Sequence, residues 1–311
     1  MDNPKILITT SSFAKDDMTP LIKLQEAGFE VVLNPMGRKL TEEEVLKLIF
    51  EHEPVGLLAG VEPLTARVLN IAKKVKGIAR AGIGLDSVDL DAAAKLGITV
   101  TNTPDAPTLP VAELTMGMIL SLLRMIHTTD ASIRKQGWER PMGRLLFGKT
   151  IGIIGCGRIG SRLARYLQAF ECKILGSDPV LQFHKNIQIV EQEKLIAESD
   201  VISLHLPYSD STHHFMNKIR IQSMKPRSYL VNAARGGLVD EKALYDALRS
   251  DHLAGAALDC FEQEPYTGPL RDQKNVLLTA HIGSYAMEAR VIMETQAAEN
   301  LLVQLSGKGV L

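Results

Sequence analysis

The fold is decided by Thr150-Ile151-Gly152-Ile153-Ile154-Gly155-Cys156-Gly157-Arg158-Ile159-Gly160. The apolar run Ile151–Ile154 reads as a buried strand, and Ser161–Phe170, with Leu163, Leu167 and Phe170 at helical spacing, reads as the helix after it. Between them stands G-x-G-x-x-G. Gly155 and Gly157 let the backbone turn and approach a pyrophosphate, and Gly160 lets helix and strand pack closely. At the helix start, Arg158 and Ile159 contribute the N–H groups and positive dipole end that hold such an anion. In a chain with 24 glycines the pattern alone is weak, and the strand-turn-helix setting supplies its specificity. Asp178, at the end of the next strand, is placed to accept hydrogen bonds from an adenosine ribose and would repel a 2′-phosphate. Pro179 and Val180 bring no cation for that phosphate, so the expected cofactor is NAD rather than NADP.

Outward from this motif, short Ile/Val/Leu runs alternate with segments of helical period, the sequence form of repeated βαβ units on a buried parallel sheet. Strands are expected at Lys5–Thr9, Glu30–Leu33, Gly56–Ala59, Gly77–Arg80 and Thr99–Val100. A second set runs through Thr150–Ile154, Cys172–Gly176, Val201–Leu204, Tyr229–Asn232, Gly255–Leu258 and Val276–Leu278. The fold class is therefore α/β, with two doubly wound parallel-sheet domains of Rossmann-like or flavodoxin-like type. Asn102-Thr103-Pro104-Asp105-Ala106-Pro107 interrupts the pattern before a long helix starting near Val111, and marks the joint. Tyr285–Leu305 reads as a last helix with no following strand, expected to pack back on the first domain. The expected division is residues 1–101 plus 285–311 against an inserted domain at 102–284.

A length of 311 residues with 45% hydrophobic and 23% charged residues is ordinary for a globular protein and excludes disorder or a fibrous repeat. Thirty-five basic and 36 acidic side chains leave a net charge of −1, which offers no long-range attraction to nucleic acid or an anionic membrane. Cys156, Cys172 and Cys260 cannot all pair and form no C-x-x-C, which argues against a disulfide framework or a thiol-ligated zinc and for a reducing compartment. Charges at Asp2, Lys5, Lys15, Asp16 and Asp17 break up any signal-peptide core, and Met116–Leu123 is far shorter than the ~20 residues of a membrane span. A cytoplasmic protein with no membrane or nucleic-acid partner is expected. The adjacent His213 and His214 are expected to point apart in surface or capping roles, with no metal site. Met116, Met118 and Met125 read as packing residues, and Lys73, Lys74 and Lys76 as a solvated rim. Cys156, at a helix N-terminus, is expected to have a lowered pKa and to become exposed when the cofactor leaves.

Beyond the glycine loop, Arg80-Ala81-Gly82-Ile83-Gly84-Leu85-Asp86, Asn102-Thr103-Pro104, Ala112-Glu113-Leu114 and Gly137-Trp138-Glu139-Arg140 occur in order, followed by Asn232-Ala233-Ala234-Arg235-Gly236-Gly237, Gly255–Pro265 and Ala280-His281-Ile282-Gly283. From Gly77 to Gly283 the chain resembles the D-isomer-specific 2-hydroxyacid dehydrogenases, and among them the D-3-phosphoglycerate dehydrogenase branch. The resemblance implies a nucleotide-binding domain inserted in a catalytic domain, an obligate homodimer, NAD as cofactor and a small 2-hydroxy or 2-keto acid as substrate. Arg235, Glu264 and His281 match the family's catalytic residues. Asp259 matches the residue near the nicotinamide carboxamide, and His205 and Pro207 match the stretch beside the adenine. By the same resemblance Ala233 and Gly283 belong to the cofactor site, and Arg80, Ile83, Gly84 and Arg140 to the substrate site.

The chemistry needs these residue types. Reducing a 2-keto acid takes a hydride and a proton, and histidine, with an ordinary pKa of ~6.5, is a suitable acid. A carboxylate bonded to the imidazole sets its tautomer and stabilises its charged form, and a guanidinium binds the substrate carboxylate through paired N–H groups. The expected reaction is the interconversion of 3-phosphoglycerate and 3-phosphohydroxypyruvate, a step of serine biosynthesis, with hydroxypyruvate/glyoxylate reduction as the alternative. One departure bears on the substrate: Leu58-Ala59-Gly60-Val61-Glu62 has no cation where the phosphoglycerate branch carries an arginine. An NAD-sensing corepressor-like binding protein is the alternative of another class. A formate dehydrogenase would pair its histidine with glutamine, against Glu264, and a methyltransferase has no use for Arg235 and His281.

Overall fold

The computed structural model describes residues 3–310; Met1, Asp2 and Leu311, counted in the expected outer domain, lie outside the described residues. Two compact units divide the chain, Thr108–Gly283 and the segments before and after it. The division falls later than residue 102 because Asn102 is still a strand residue, paired with Arg80.

The outer unit is built from β1 (Lys5–Ile8), α1 (Thr19–Glu26), β2 (Glu30–Leu33), α2 (Glu42–His52), β3 (Gly56–Ala59), α3 (Ala66–Ile71), β4 (Gly77–Arg80), α4 (Leu90–Lys95) and β5 (Thr99–Asn102). Its sheet is wholly parallel in the order β2-β1-β3-β4-β5, with Leu7 opposite Leu57 and Ala59 opposite Arg80. β3 and β4 are buried at every residue, as strands covered on both faces must be. Val45, Leu48 and Ile49 of α2 close one face; the other packs on Leu21 and Leu24 of α1 and on Met293, Ala297 and Leu301 of the last helix in the chain. Polar caps set the helix starts: Thr41 and Glu44 form a capping box on α2, and Asp89 caps α4.

The inserted unit begins with α5 (Thr108–Arg124), whose Pro110 lies in the first turn, where a missing N–H breaks no helical bond. At Met125 the backbone turns left-handed, φ +55, and α6 (Ile126–Arg134) departs in a new direction. There follow β6 (Thr150–Ile154), α7 (Arg158–Gln168), β7 (Lys173–Ser177), β8 (Gln188–Ile189), α8 (Gln192–Glu198), β9 (Val201–Leu204), α9 (Lys218–Ser223), β10 (Ser228–Asn232), α10 (Glu241–Arg249), β11 (Leu253–Leu258) and β12 (Val276–Leu278). The seven strands are parallel in the order β12-β11-β10-β9-β6-β7-β8, so the chain reverses its direction of travel across the sheet between β6 and β9. α5 and α7 close one face and α8, α9 and α10 the other. No single described helix is long and apolar enough to cross a membrane. The last helix, α11 (Met287–Ser306), returns to the outer unit as expected, where Gln304 donates to the Thr101 hydroxyl.

Candidate active site

The three glycines of the loop after β6 serve three steric ends. Gly155 has φ +92, and a Cβ there would stand 2.6 Å from the His205 carbonyl oxygen at the end of β9. At Gly160 a Cβ would meet the Gly155 carbonyl at 2.2 Å. Gly157 differs: a Cβ there would meet nothing within 4 Å. The backbone at Gly157 thus faces open space at the N-terminus of α7, where the helix's first N–H groups, on Arg158, Ile159 and Gly160, lack intrahelical acceptors. That is the geometry a pyrophosphate requires, and it lies where the strand order reverses, the place at which doubly wound sheets bind ligands.

Asp178 follows β7 and reaches back to the loop. Its Oδ2 accepts from the Cys156 backbone N–H at 2.9 Å, and Oδ1 from those of Val180 and Leu181 at 3.0 Å. Desolvation works to raise its pKa, but the three N–H bonds outweigh it and the net direction is down, so a negative carboxylate borders the loop. Cys156 overturns its sequence expectation. The thiol is only 4% exposed, and burial together with the Asp178 charge pushes its pKa up to about 12, the opposite of a helix-activated thiolate. His205 is half-buried with Nε2 2.9 Å from the Ser203 hydroxyl; desolvation pulls its pKa down to about 4, and Pro207 beyond it is exposed. Ala233 is buried immediately after β10.

At the carboxyl ends of β10, β11 and β12 stand the three expected catalytic side chains. His281 Nδ1 lies 3.0 Å from both carboxylate oxygens of Glu264, and Glu264 Oε1 also accepts from the Phe261 N–H at 3.2 Å. With Nδ1–H committed to the carboxylate, Nε2 is the nitrogen left to exchange a proton. Arg235 follows β10, and its turn is shaped by Asn232, whose amide donates to the Arg235 carbonyl at 2.8 Å while its Oδ1 accepts from Ala234. Gly236 is required because a Cβ would stand 1.9 Å from the Phe261 carbonyl carbon, so the Arg235 and Glu264 turns pack backbone to backbone.

Asp259 does more than the resemblance assigns to it. It is fully buried, and its carboxylate accepts from the Thr279 hydroxyl at 2.6 Å and from the N–H groups of Ile282 and Gly283 at 2.8 Å. It thereby pins the segment that carries His281, whose own φ is +53. Thr279 and Asn232 receive no role of their own from the sequence; the structure puts the Asn232 side chain on the Arg235 turn and the Thr279 hydroxyl on Asp259. His213 and His214 also depart from expectation. Their rings stack at 3.9 Å because His214 is left-handed, φ +48; His214 bonds Glu262 at 2.7 Å, and no metal cluster exists among the described residues.

In the outer unit, Arg80 is buried at the end of β4 with its guanidinium over Gly82, where any Cβ would collide with Nη1. The turn after it is clamped by Asn102 on the Ile83 carbonyl and by Thr103 on the Gly82 N–H. The N–H groups of Ile83 and Gly84 donate to no partner among the described residues, the condition for an anion cradle. Glu62, beyond the end of β3, is only 2% exposed and accepts from the Thr9 hydroxyl and the Gly60 N–H. Arg140 is exposed in the inserted unit after α6.

A doubly wound nucleotide-binding unit with a Glu-His pair at its strand ends defines a dinucleotide-dependent oxidoreductase class. Similarity to known proteins narrows it. Residues 116–283 match the family described as D-isomer specific 2-hydroxyacid dehydrogenase, NAD binding domain. The chain is 39% identical to the D-3-phosphoglycerate dehydrogenase of Methanocaldococcus jannaschii over 92% of its own length and 56% of that protein. It is 39% identical to the hydroxypyruvate reductase of Thermotoga maritima over 88% of its length and 91% of the relative. The crystal structure of the TT0316 protein from Thermus thermophilus superposes with a TM-score of 0.90 at 37% identity, covering 97% of both chains. The chain belongs to the D-isomer specific 2-hydroxyacid dehydrogenase family, and its cofactor is NAD. It spans about half the length of several phosphoglycerate dehydrogenase relatives and most of the shorter reductases.

Proposed function

We propose that this protein interconverts a short D-2-hydroxy acid and its 2-keto acid, with Arg235, Glu264 and His281 as the catalytic residues. The observation that carries the reading is the paired contact of His281 Nδ1 with both Glu264 oxygens on the same sheet edge as the glycine loop. Bound NAD supplies or accepts the hydride. His281 gives a proton from Nε2 to the keto oxygen in reduction and removes it from the hydroxyl in oxidation. Glu264 stabilises the charged imidazole without itself taking the proton. Arg235 holds the substrate carboxylate and polarises the carbonyl, and in the outer unit the N–H groups of Ile83 and Gly84 are suited to an anionic group of the substrate. Gly155, Gly157, Arg158, Ile159 and Gly160 seat the pyrophosphate, Asp178 takes the ribose hydroxyls, and His205, Pro207, Ala233, Asp259 and Gly283 complete the cofactor site.

For the particular acid, the family resemblance favours 3-phosphoglycerate and 3-phosphohydroxypyruvate, with Arg80 and Arg140 as the cations for the phosphate. One observation favours the second reading, hydroxypyruvate or glyoxylate. The stretch Gly60-Val61-Glu62 after β3 offers a buried carboxylate and no cation for a phosphate. The absence of a disulfide among Cys156, Cys172 and Cys260 fits a cytoplasmic protein. We assign it a homodimer, supported by the exposed apolar side chains along α6 and the segment after it. The deciding experiment measures NADH oxidation with 3-phosphohydroxypyruvate, hydroxypyruvate, glyoxylate and pyruvate. Tenfold or greater preference for the phosphorylated compound supports the first reading, the reverse preference supports the second, and oxidation with none of them overturns the proposal.

A further inference from the structure

The edge of the seven-stranded sheet opposite the glycine loop carries a cavity of about 510 Å³. It sits at the amino ends of β10, β11 and β12, walled by the residues that lead into them: Arg227, Asp251 and Asn275. Its size lies within the range of small-ligand sites.

Two independent features give it a chemical character. The first is charge. Arg144, Arg227, Arg249 and Lys274 line it against two carboxylates, Asp251 and Asp272. Only Arg227 is neutralised inside the cavity, by Asp251 at 3.0 Å; Lys274 leans at 3.8 Å toward Glu139, which is outside the wall. Arg144 and Arg249 have no carboxylate partner among the described residues and rest near aromatic rings, Arg144 5.8 Å from the Tyr229 centroid and Arg249 5.9 Å from that of Tyr245. A concave surface with an excess of two positive charges concentrates anions. The carbonyl end of α10 opposes this weakly, since a helix terminus is worth less than a full charge. The second feature is Tyr229. It is only 6% exposed, yet it lines the cavity, and its hydroxyl has no hydrogen-bond partner among the described residues. The hydroxyl is not cut off from solvent, so it opens into the cavity and is available to water or to a ligand there.

We propose that this cavity is a binding site for a compact oxyanion, a phosphoryl or carboxylate-bearing small molecule, held by Arg144, Arg249 and Lys274 and hydrogen-bonded by the Tyr229 hydroxyl. The site is separate from the cofactor and the proposed catalytic residues, which stand at the carboxyl ends of the same strands. β10, β11 and β12 connect the two edges: they lead from the cavity to Arg235, Asp259 and the Thr279–Gly283 segment.

The test is isothermal titration calorimetry of the full chain, in the oligomeric state it adopts, at fixed ionic strength and with saturating NADH so that the glycine loop is occupied. Pyrophosphate and citrate are the two probes. Binding of one probe molecule per chain is expected. Arg249→Gln and Lys274→Gln should each weaken it by about tenfold or more, as loss of a charge-assisted contact does, and Tyr229→Phe by a smaller factor. Pyrophosphate binding alone identifies a phosphoryl ligand, citrate binding alone a carboxylate, and either supports the site. Absence of heat with both probes, or affinities unchanged in Arg249→Gln and Lys274→Gln, overturns it. NADH affinity should stay the same in every variant, which separates this outcome from failure of the dehydrogenase assignment.

Discussion

At His281 three demands meet in one residue: a left-handed backbone, a ring oriented by Glu264, and a nitrogen left open for proton exchange. A non-glycine residue in that conformation costs about 1–3 kcal/mol and persists only where its surroundings hold it, here through the Asp259 carboxylate on both following N–H groups. His281→Ala should therefore lower kcat by ~10²–10⁴-fold with NADH affinity little changed. Glu264→Gln keeps the hydrogen bond but removes the charge that stabilises the imidazolium during proton transfer, so kcat should fall by about tenfold or more with NADH affinity little changed. Steady-state kinetics across pH 5–9 check both, and wild-type turnover in His281→Ala would refute the assigned acid. His205 makes a separate pH prediction. Its folded pKa of about 4 is below the ordinary 6.5, so the unfolded chain binds the proton first. The stability from keeping it neutral is complete above pH 6.5 and is lost as pH falls toward 4, by ~3 kcal/mol at most. The melting temperature of the wild type should decline across that window more steeply than that of His205→Gln.

Elements were legible where residues repeat a pattern and illegible where a single backbone angle decides. β2, β3, β4, β6, β9 and β12 have the bounds the sequence pattern gives them; β3, β4 and β9 are buried at every residue, while β2 is exposed at both ends and is marked by Val31, Val32 and Leu33 alone. β8 escaped notice: two residues, Gln188 and Ile189, carry no period, and only pairing with β7 makes them a strand. The break at Met125 was equally silent, since nothing in Arg124-Met125-Ile126 marks a left-handed turn. The Glu264–His281 pair was read through family likeness, not spacing, while the Asp259 anchor and the Tyr229 cavity depend on which strand ends become neighbours. The glycine loop lies at this scale too. Its three glycines look alike in sequence, but Gly160→Ala must displace the Gly155 carbonyl, whereas Gly157→Ala meets open space. Gly160→Ala should destabilise the fold by roughly 1–3 kcal/mol. Gly157→Ala should leave the melting temperature within about 2 °C of wild type, since a methyl pointing into solvent disturbs no packing, while NADH affinity drops about tenfold or more through lost close approach. Differential scanning calorimetry with a fluorescence titration separates the two roles, and equal melting losses in both variants would show that the loop glycines act through packing alone.

For the whole molecule the outstanding physical question is what covers its apolar surface. Each sheet buries both faces within its own unit, so neither sheet needs a partner. The segment from α6 to β6 is different. Ile126, Ile133, Trp138, Leu145 and Phe147 are exposed, Trp138 at 78%, within some twenty residues of one another in sequence. Water contact with that much large apolar surface in one stretch is unfavourable by about 25 cal/mol per Å², and a chain of balanced charge relieves it most simply against a second copy. In an isologous dimer every such side chain is buried twice, so one substitution acts on both halves of the interface. Sedimentation velocity on the wild type should give about twice the 34.1 kDa mass of the chain. Trp138→Asp should shift the population toward monomer, because it places a charge in each copy of the contact, while the far-ultraviolet circular dichroism stays unchanged since an exposed indole supports no core. A wild type that sediments as a monomer at micromolar concentration would sink the dimer. Trp138→Asp remaining dimeric would move the interface off this segment, leaving the exposed indole to be explained by some other contact.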